Sequence, residues 1–122
     1  MSPEYKTFVS KLLEKTINKM AIWNKTSREN EFILKLADGS VSVDSWLDDD
    51  NEDLFVDLRI WNNKGEVIDI LTHGLKSPDY PELKNLHDVV KRSYLKIDDT
   101  LKSFIKELDS NKVAGEEDEL PF

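Results

Sequence analysis

The chain has no cysteine among its 122 residues. That excludes disulfides, thiolate zinc sites and cysteine nucleophiles, and it fits a reducing cytoplasm. Its two histidines, His73 and His87, are too few and too poorly accompanied for a zinc site or a catalytic triad. No apolar run has the length of a signal peptide or a membrane span, so a soluble, cytoplasmic protein with no membrane partner is expected. The four glycines form no phosphate-cradling loop, and no nucleophile motif occurs. An acidic cluster (Asp44, Asp48, Asp49, Asp50, Glu52, Asp53) lacks the turn glycine and distant glutamate of a calcium loop and reads as a solvated loop between strands. These absences predict a non-enzymatic protein with neither metal nor cofactor.

What is abundant is charge, unevenly placed. The formal net charge is −8, but the acids gather in residues 44–53 and in Glu116, Glu117, Asp118 and Glu119. Residues 1–28 carry six cations against Glu4 and Glu14. The acidity is therefore local, and the sum alone excludes no class of partner. The length suits one compact domain with an arm and a tail.

Ser2, Pro3 and Glu4 make a helix start, as cap, first-turn proline and dipole-favoured acid. Tyr5, Phe8, Leu12, Thr16 and Met20 then follow one face, and polar residues 24–30 end the helix as a loop. Four strand candidates follow. Residues 32–36 lead into Asp38-Gly39, a hairpin signal, and residues 41–47 run into the acidic loop 48–53. Residues 54–61 form the best strand, and Asn62-Asn63-Lys64-Gly65 turns the chain into residues 66–71. Pro81 then opens a second helix, whose apolar positions Leu83, Leu86, Val90, Tyr94, Ile97, Leu101, Phe104 and Leu108 keep helical spacing. A helix over 81–108 is far longer than the average of about eleven or twelve residues, so part of it is expected to cover the sheet and the rest to meet a second copy as a homodimer. The expected fold is α+β: a four-stranded antiparallel sheet followed by a long C-terminal helix, with an additional N-terminal helix. The expected organisation is a basic helix and loop over 1–30, a sheet-plus-helix domain over 31–108 and a disordered acidic tail over 109–122.

Strand 54–61 suggests the function. Alternation sends Leu54, Val56, Leu58 and Ile60 to one face, and Phe55, Asp57, Arg59 and Trp61 to the other. Aromatics beside a guanidinium suit single-stranded DNA, because rings stack on any base for roughly 1–3 kcal/mol each while cations hold phosphates. Trp46 joins that face from the neighbouring strand, and Lys35 adds a cation. Alternatively Phe55 and Trp61 pack a second core layer under the N-terminal helix, and the pattern alone does not decide. Asp57 opposes DNA unless it pairs with Arg59 or a lysine.

The stretch Phe55-Val56-Asp57-Leu58-Arg59-Ile60-Trp61, followed by Lys64-Gly65-Glu66 and His73-Gly74-Leu75, resembles the core of the positive cofactor four (whirly-type) family of single-stranded-DNA-binding coactivators. The resemblance covers about residues 31–108. It implies a dimer whose sheets line a channel for unpaired strands, with Arg59, Trp61 and Lys64 as DNA contacts and Gly74 as a structural turn. Thr72-His73 stands where the family usually has lysines, leaving His73 a partial charge with Lys76 nearby.

The ending Glu116-Glu117-Asp118-Glu119-Leu120-Pro121-Phe122 resembles the C-terminal tip of bacterial single-stranded-DNA-binding proteins. Proline stiffens such a peptide, the terminal phenylalanine fills an apolar pocket, its carboxylate meets a basic rim, and the acids steer it there. Together the two resemblances imply a bacteriophage-type single-stranded-DNA-binding protein that recruits host or phage replication and repair proteins through its tail. The rival reading is an acidic protein-binding module, such as an immunity protein or nucleic-acid mimic; it accounts for the net charge but not for the Leu-Pro-Phe ending. On the DNA-binding reading the tail also screens the cationic face when DNA is absent. Deletion of residues 114–122 should then tighten single-stranded-DNA binding at low salt in a gel-shift titration, and unchanged affinity would count against that screening role.

Overall fold

A computed structural model describes residues 1–50 and 52–117. Helix α1 spans Pro3–Ile17 and starts as its first residues dictate: Ser2 Oγ accepts the Tyr5 amide at 3.2 Å, with Pro3 in the first turn. It stops three residues before Met20, which is exposed, and Lys19 takes a left-handed φ of 61°. The chain then folds back so that buried Trp23 donates its indole N–H to Thr16 Oγ1 at 3.0 Å, and Thr16 donates in turn to the Leu12 carbonyl at 2.7 Å. A buried indole thereby keeps its hydrogen bond.

The sheet has five antiparallel strands in sequential order: β1 (Asn24–Lys25), β2 (Glu31–Leu36), β3 (Gly39–Leu47), β4 (Leu54–Asn62) and β5 (Val67–Gly74). The four-stranded expectation misses β1, a two-residue strand inside the polar stretch read as loop. Asn24 and Lys25 pair with Ile33 and Phe32, a ladder with no hydrophobic alternation to announce it. The β2–β3 turn is Ala37-Asp38, one residue earlier than the Asp38-Gly39 signal suggests, because Leu36 pairs with Gly39. A Cβ on Gly39 would lie 2.1 Å from the Trp61 carbonyl oxygen, so close approach of β4, not turn geometry, requires this glycine.

Helix α2 (Tyr80–Leu95) lies across one face of the sheet and carries the buried Leu83, Leu86 and Val90. These meet Val41 and Val43 of β3, Val56 and Leu58 of β4, and Phe32 and Leu34 of β2, with Val9 and Leu12 of α1 completing the same core. The N-terminal helix is thus part of the domain, not an arm beside it. Each fully buried aliphatic contributes about 1.5–3 kcal/mol of transfer free energy. The expected single helix over 81–108 is broken. Lys96 adopts a left-handed conformation (φ 54°, ψ 40°), ending α2 and starting α3 (Ile97–Leu108). Unbroken apolar spacing conceals the break, because periodicity reports which side chains share a face and not whether every backbone hydrogen bond is made. Among the described residues no helix is long and apolar enough to cross a membrane.

His87, in the buried face of α2, tilts against Phe32 with ring centroids 5.7 Å apart and donates from Nε2 to the Asn30 carbonyl at 2.7 Å. Its Nδ1 is buried with no hydrogen-bond partner among the described residues. Burial pushes the imidazole pKa down, only partly opposed by the Asn30 hydrogen bond; protonation would place a hydrogen on that orphaned nitrogen. In the unfolded chain the same group titrates near 6.5. Its contribution to stability is therefore complete above about pH 6.5 and is lost as pH falls from there toward the lowered folded value. The melting temperature of the wild type should drop more steeply from pH 7 to pH 5 than that of His87→Gln, which keeps a donor for Asn30. Parallel curves would show that His87 does not carry this dependence.

Candidate binding face of the sheet

The helices leave the other face of the sheet uncovered, and the strand register arranges its side chains in four cross-strand rows. The first row is Lys35, Ser40 and Trp61. The second is Ile33, Ser42, Arg59 and Ile70. The third is Glu31, Asp44, Asp57 and Thr72. The fourth is Trp46, Phe55 and Gly74. Hairpin geometry fixes the first pairing: a two-residue turn at Ala37-Asp38 sets Glu31 opposite Asp44.

The third row is electrostatically unusual, because three carboxylates lie side by side on adjacent strands, and directly opposed like charges destabilise a sheet. Arg59 resolves this. Its guanidinium lies 2.8 Å from Glu31 Oε2, 2.8 Å from Asp57 Oδ2 and 3.5 Å from Asp44 Oδ2. Arg28 reaches Asp44 at 3.1 Å from the β1–β2 loop. Thr26 Oγ1 donates to Glu31 at 2.9 Å, and Thr72 Oγ1 donates to Asp57 at 2.8 Å. Trp61 Nε1 donates to Ser42 Oγ at 3.0 Å, and Ser42 donates to Glu31 at 3.1 Å. One connected network therefore crosses β2, β3, β4 and β5.

The fourth row is an aromatic ledge. Trp46 and Phe55 stack with centroids 4.6 Å apart and planes 18° apart, and Trp46 is 37% exposed. Phe55 lies over Gly74, where an added Cβ would be 2.7 Å from the ring. Gly74 thus acts as the bed for an aromatic ring, and its carbonyl also opens the turn after β5 by accepting the Ser77 amide at 2.9 Å. Beside the ledge, Arg28, Asn30, Asp44, Trp46, Leu47 and Asp49 are among the residues that line an open groove of about 440 Å³. In the acidic loop beyond it, Glu52 N is bonded to the Asp48 carbonyl at 2.7 Å and Asp48 N to the Asp53 carbonyl at 2.8 Å.

Of the residues expected to hold DNA, Lys35, Trp46, Phe55, Arg59 and Trp61 do share this face. They do not form one platform. Trp61 lies six residues along β4 from Phe55, about 20 Å away, with the charged rows between. Phe55 and Trp61 are half-buried, and neither α1 nor any other described helix covers them, so the second-core-layer alternative fails. Arg59 is 12% exposed and ringed by carboxylates, which leaves its donors directed at the protein. Three expected residues stand elsewhere. His73 pairs across from Val56 and so points to the helix side, where Nδ1 lies 2.7 Å from Ser77 Oγ; counting along β5 from Val67 through the bulge at Ile60/Trp61 puts odd-numbered residues on that side. Lys64 sits in the β4–β5 turn, its amide held by Asn62 Oδ1 at 3.0 Å, and Lys76 is exposed in the turn after β5. Glu116 and Glu117 follow α3 without regular structure, while Asp118, Glu119, Leu120, Pro121 and Phe122 lie outside the described residues. Glu31 and Arg28 went unrecognised in the sequence. The Ala37-Asp38 turn carries the signal for Glu31, whereas Arg28 belongs to a loop with no pattern to place it.

No family model matches this chain, nor does any curated protein or solved structure. The likeness to positive cofactor four accordingly rests on the Phe55–Trp61 motif and the succession of strands and helix. Among the described residues no group of three or more His, Cys, Asp or Glu side chains is placed to hold a metal; the carboxylate row is centred on a guanidinium.

Removal of that guanidinium leaves three crowded carboxylates without their shared cation. Arg59→Met should lower unfolding free energy by about 3–5 kcal/mol, read from urea denaturation by intrinsic fluorescence. A change within about 0.5 kcal/mol would show that Arg59 is a free surface cation after all.

Proposed function

We propose that this chain is a non-enzymatic docking protein, cytoplasmic and associated with replication or repair. Its sheet face receives a basic segment of a partner protein, and its acidic Leu-Pro-Phe ending engages pockets of the kind that take the tips of bacterial single-stranded-DNA-binding proteins. The observation that carries this reading is the engagement of Arg59 by Glu31, Asp44 and Asp57. The centre of the face is thereby a buried ion network, with Glu31, Asp44 and Asp57 each 4% exposed and the guanidinium committed to them, and phosphates need accessible cations. A lysine or arginine side chain from a partner would lie over the open Trp46 ring at the end of the face as a cation–π contact, close to Asp49 in the groove. The acidic loop would raise the encounter rate with a basic partner.

A second reading, single-stranded-DNA binding, is favoured by one observation: the Trp46–Phe55 pair is already stacked and partly open, a geometry onto which a base can slide. Lys35 at the far end of the face would then meet a phosphate.

Tryptophan emission decides between the two. Titration with an arginine-rich peptide should change emission at micromolar concentrations, with the response abolished in Trp46→Ala and weakened by salt. Oligo-dT should leave emission unchanged. Salt-reversible quenching by oligo-dT, with no response to the peptide, would replace the docking reading with the DNA-binding one.

A further inference from the structure

On the helical side of the domain, away from the open sheet face, lies a cavity of about 390 Å³. It opens between the end of α1, the segment 18–23 that follows it, the C-terminal half of α2 and the start of α3. Its volume falls within the range of roughly 300–1,000 Å³ for small-molecule sites. We propose that this cavity binds an aliphatic monocarboxylate, with the hydrocarbon chain against its apolar wall and the carboxylate at Lys96.

The wall determines the apolar part of the ligand. Ile17, Ala21, Ile22, Trp23 and Val89 line it. Trp23 is buried, and its indole N–H is already given to Thr16 Oγ1, which donates in turn to the Leu12 carbonyl. These groups need nothing from a ligand. Ile17 and Ile22 are 59 and 81% exposed, so a hydrocarbon chain laid against them removes from water apolar surface that the fold itself leaves open.

The rim determines the charge. Its charged residues are Lys19, Arg92, Lys96, Asp98 and Asp99. Lys19 Nζ holds Asp99 at 2.9 Å, and Arg92 holds Asp98 at 2.6 Å. Lys96 forms no ion pair among the described residues, so one cation is left over. Glu107 and Asp109 lie roughly 12 Å or more along α3 from Asp99, beyond a Debye length of about 8 Å. A monoanion balances the spare charge. A dianion would meet Asp98 and Asp99, and a cationic ligand would meet three positive side chains beside two carboxylates already engaged. Tyr94 lines the same cavity, and its hydroxyl has no hydrogen-bond partner among the described residues; it is a second donor for a carboxylate.

Two unusual backbone positions shape the site. Lys19 and Lys96 both take a left-handed φ, 61° and 54°, a conformation that residues other than glycine adopt rarely. The first reverses the chain after α1, so that Ala21, Ile22 and Trp23 form one wall. The second ends α2 and carries the spare cation at the bend into α3.

Titration of the full chain with decanoate should shift the amide resonances of Ala21, Ile22, Val89 and Lys96 saturably, with a dissociation constant on the order of 100 µM. Decanol should bind about tenfold more weakly, and decyltrimethylammonium more weakly still. Lys96→Asn introduces a residue that tolerates the left-handed backbone; it should weaken decanoate about tenfold and leave decanol unchanged. Ala21→Trp fills the cavity and should abolish binding of both. Its melting temperature shows whether it folds, and Lys96→Asn decides the matter if it does not. Absence of saturable shifts at millimolar decanoate would overturn the proposal, as would equal affinity for decanol and decanoate or decanoate binding that Lys96→Asn leaves unchanged.

Discussion

A single guanidinium holds together what would otherwise be an untenable sheet. The register of β2, β3 and β4 places Glu31, Asp44 and Asp57 on adjacent strands, where their mutual repulsion opposes pairing, and Arg59 is the cation that all three share. Two strongly held carboxylates and a third at ion-pair distance turn the repulsion into a cross-strand tie. Ser42, Thr26 and Thr72 satisfy further carboxylate lone pairs, as a partly buried ionic network requires if it is not to cost more than it contributes. The aromatic rows depend on it indirectly. Trp61 is bonded into the network through Ser42, and the Trp46–Phe55 ledge borders the carboxylate row on the next cross-strand pairs.

The molecule consequently has two unlike sides. The helix-covered side is an ordinary aliphatic core with one neutral, buried imidazole. The other side keeps half-buried rings and charge in fixed positions without a covering layer. Tyr5 links the two layers from α1: its hydroxyl donates to Asp69 of β5, and burial together with that carboxylate pushes the phenol pKa up to about 12. The hydroxyl therefore stays protonated, and remains a donor, throughout the neutral range.

Much of this was legible in the sequence, for identifiable reasons. Alternation in residues 54–61 separates Leu58 from Arg59 correctly because a strand's side-chain period is two whatever surrounds it. The grouping of Trp46, Phe55, Arg59 and Trp61 on one face follows from the same rule. What the pattern did not reveal was the company Arg59 keeps. That depends on the β3–β4 register, set across the acidic loop, and on Arg28, placed by a loop without periodicity. The break at Lys96 was hidden for a related reason, since Tyr94, Ile97 and Leu101 keep helical spacing across a left-handed residue. His73 entered only through the family resemblance, at a position beyond the strand read over 66–71, so no alternation was available to show that it faces the helix side opposite Val56. The strand β1 escaped because two polar residues carry too little signal to distinguish a short ladder from a loop.

The Ala37-Asp38 turn has a bearing on how this sequence can change over evolutionary time. A two-residue connection leaves no slack, so inserting or deleting one residue there would rotate Glu31 out of the carboxylate row and send Phe32 and Leu34 away from the core together. The connection between β3 and β4 carries no such constraint, since added residues between Asp48 and Asp53 would lengthen a surface loop at modest entropic cost. Descendants of this chain are therefore expected to vary in length at the acidic loop and to hold the first hairpin at constant length.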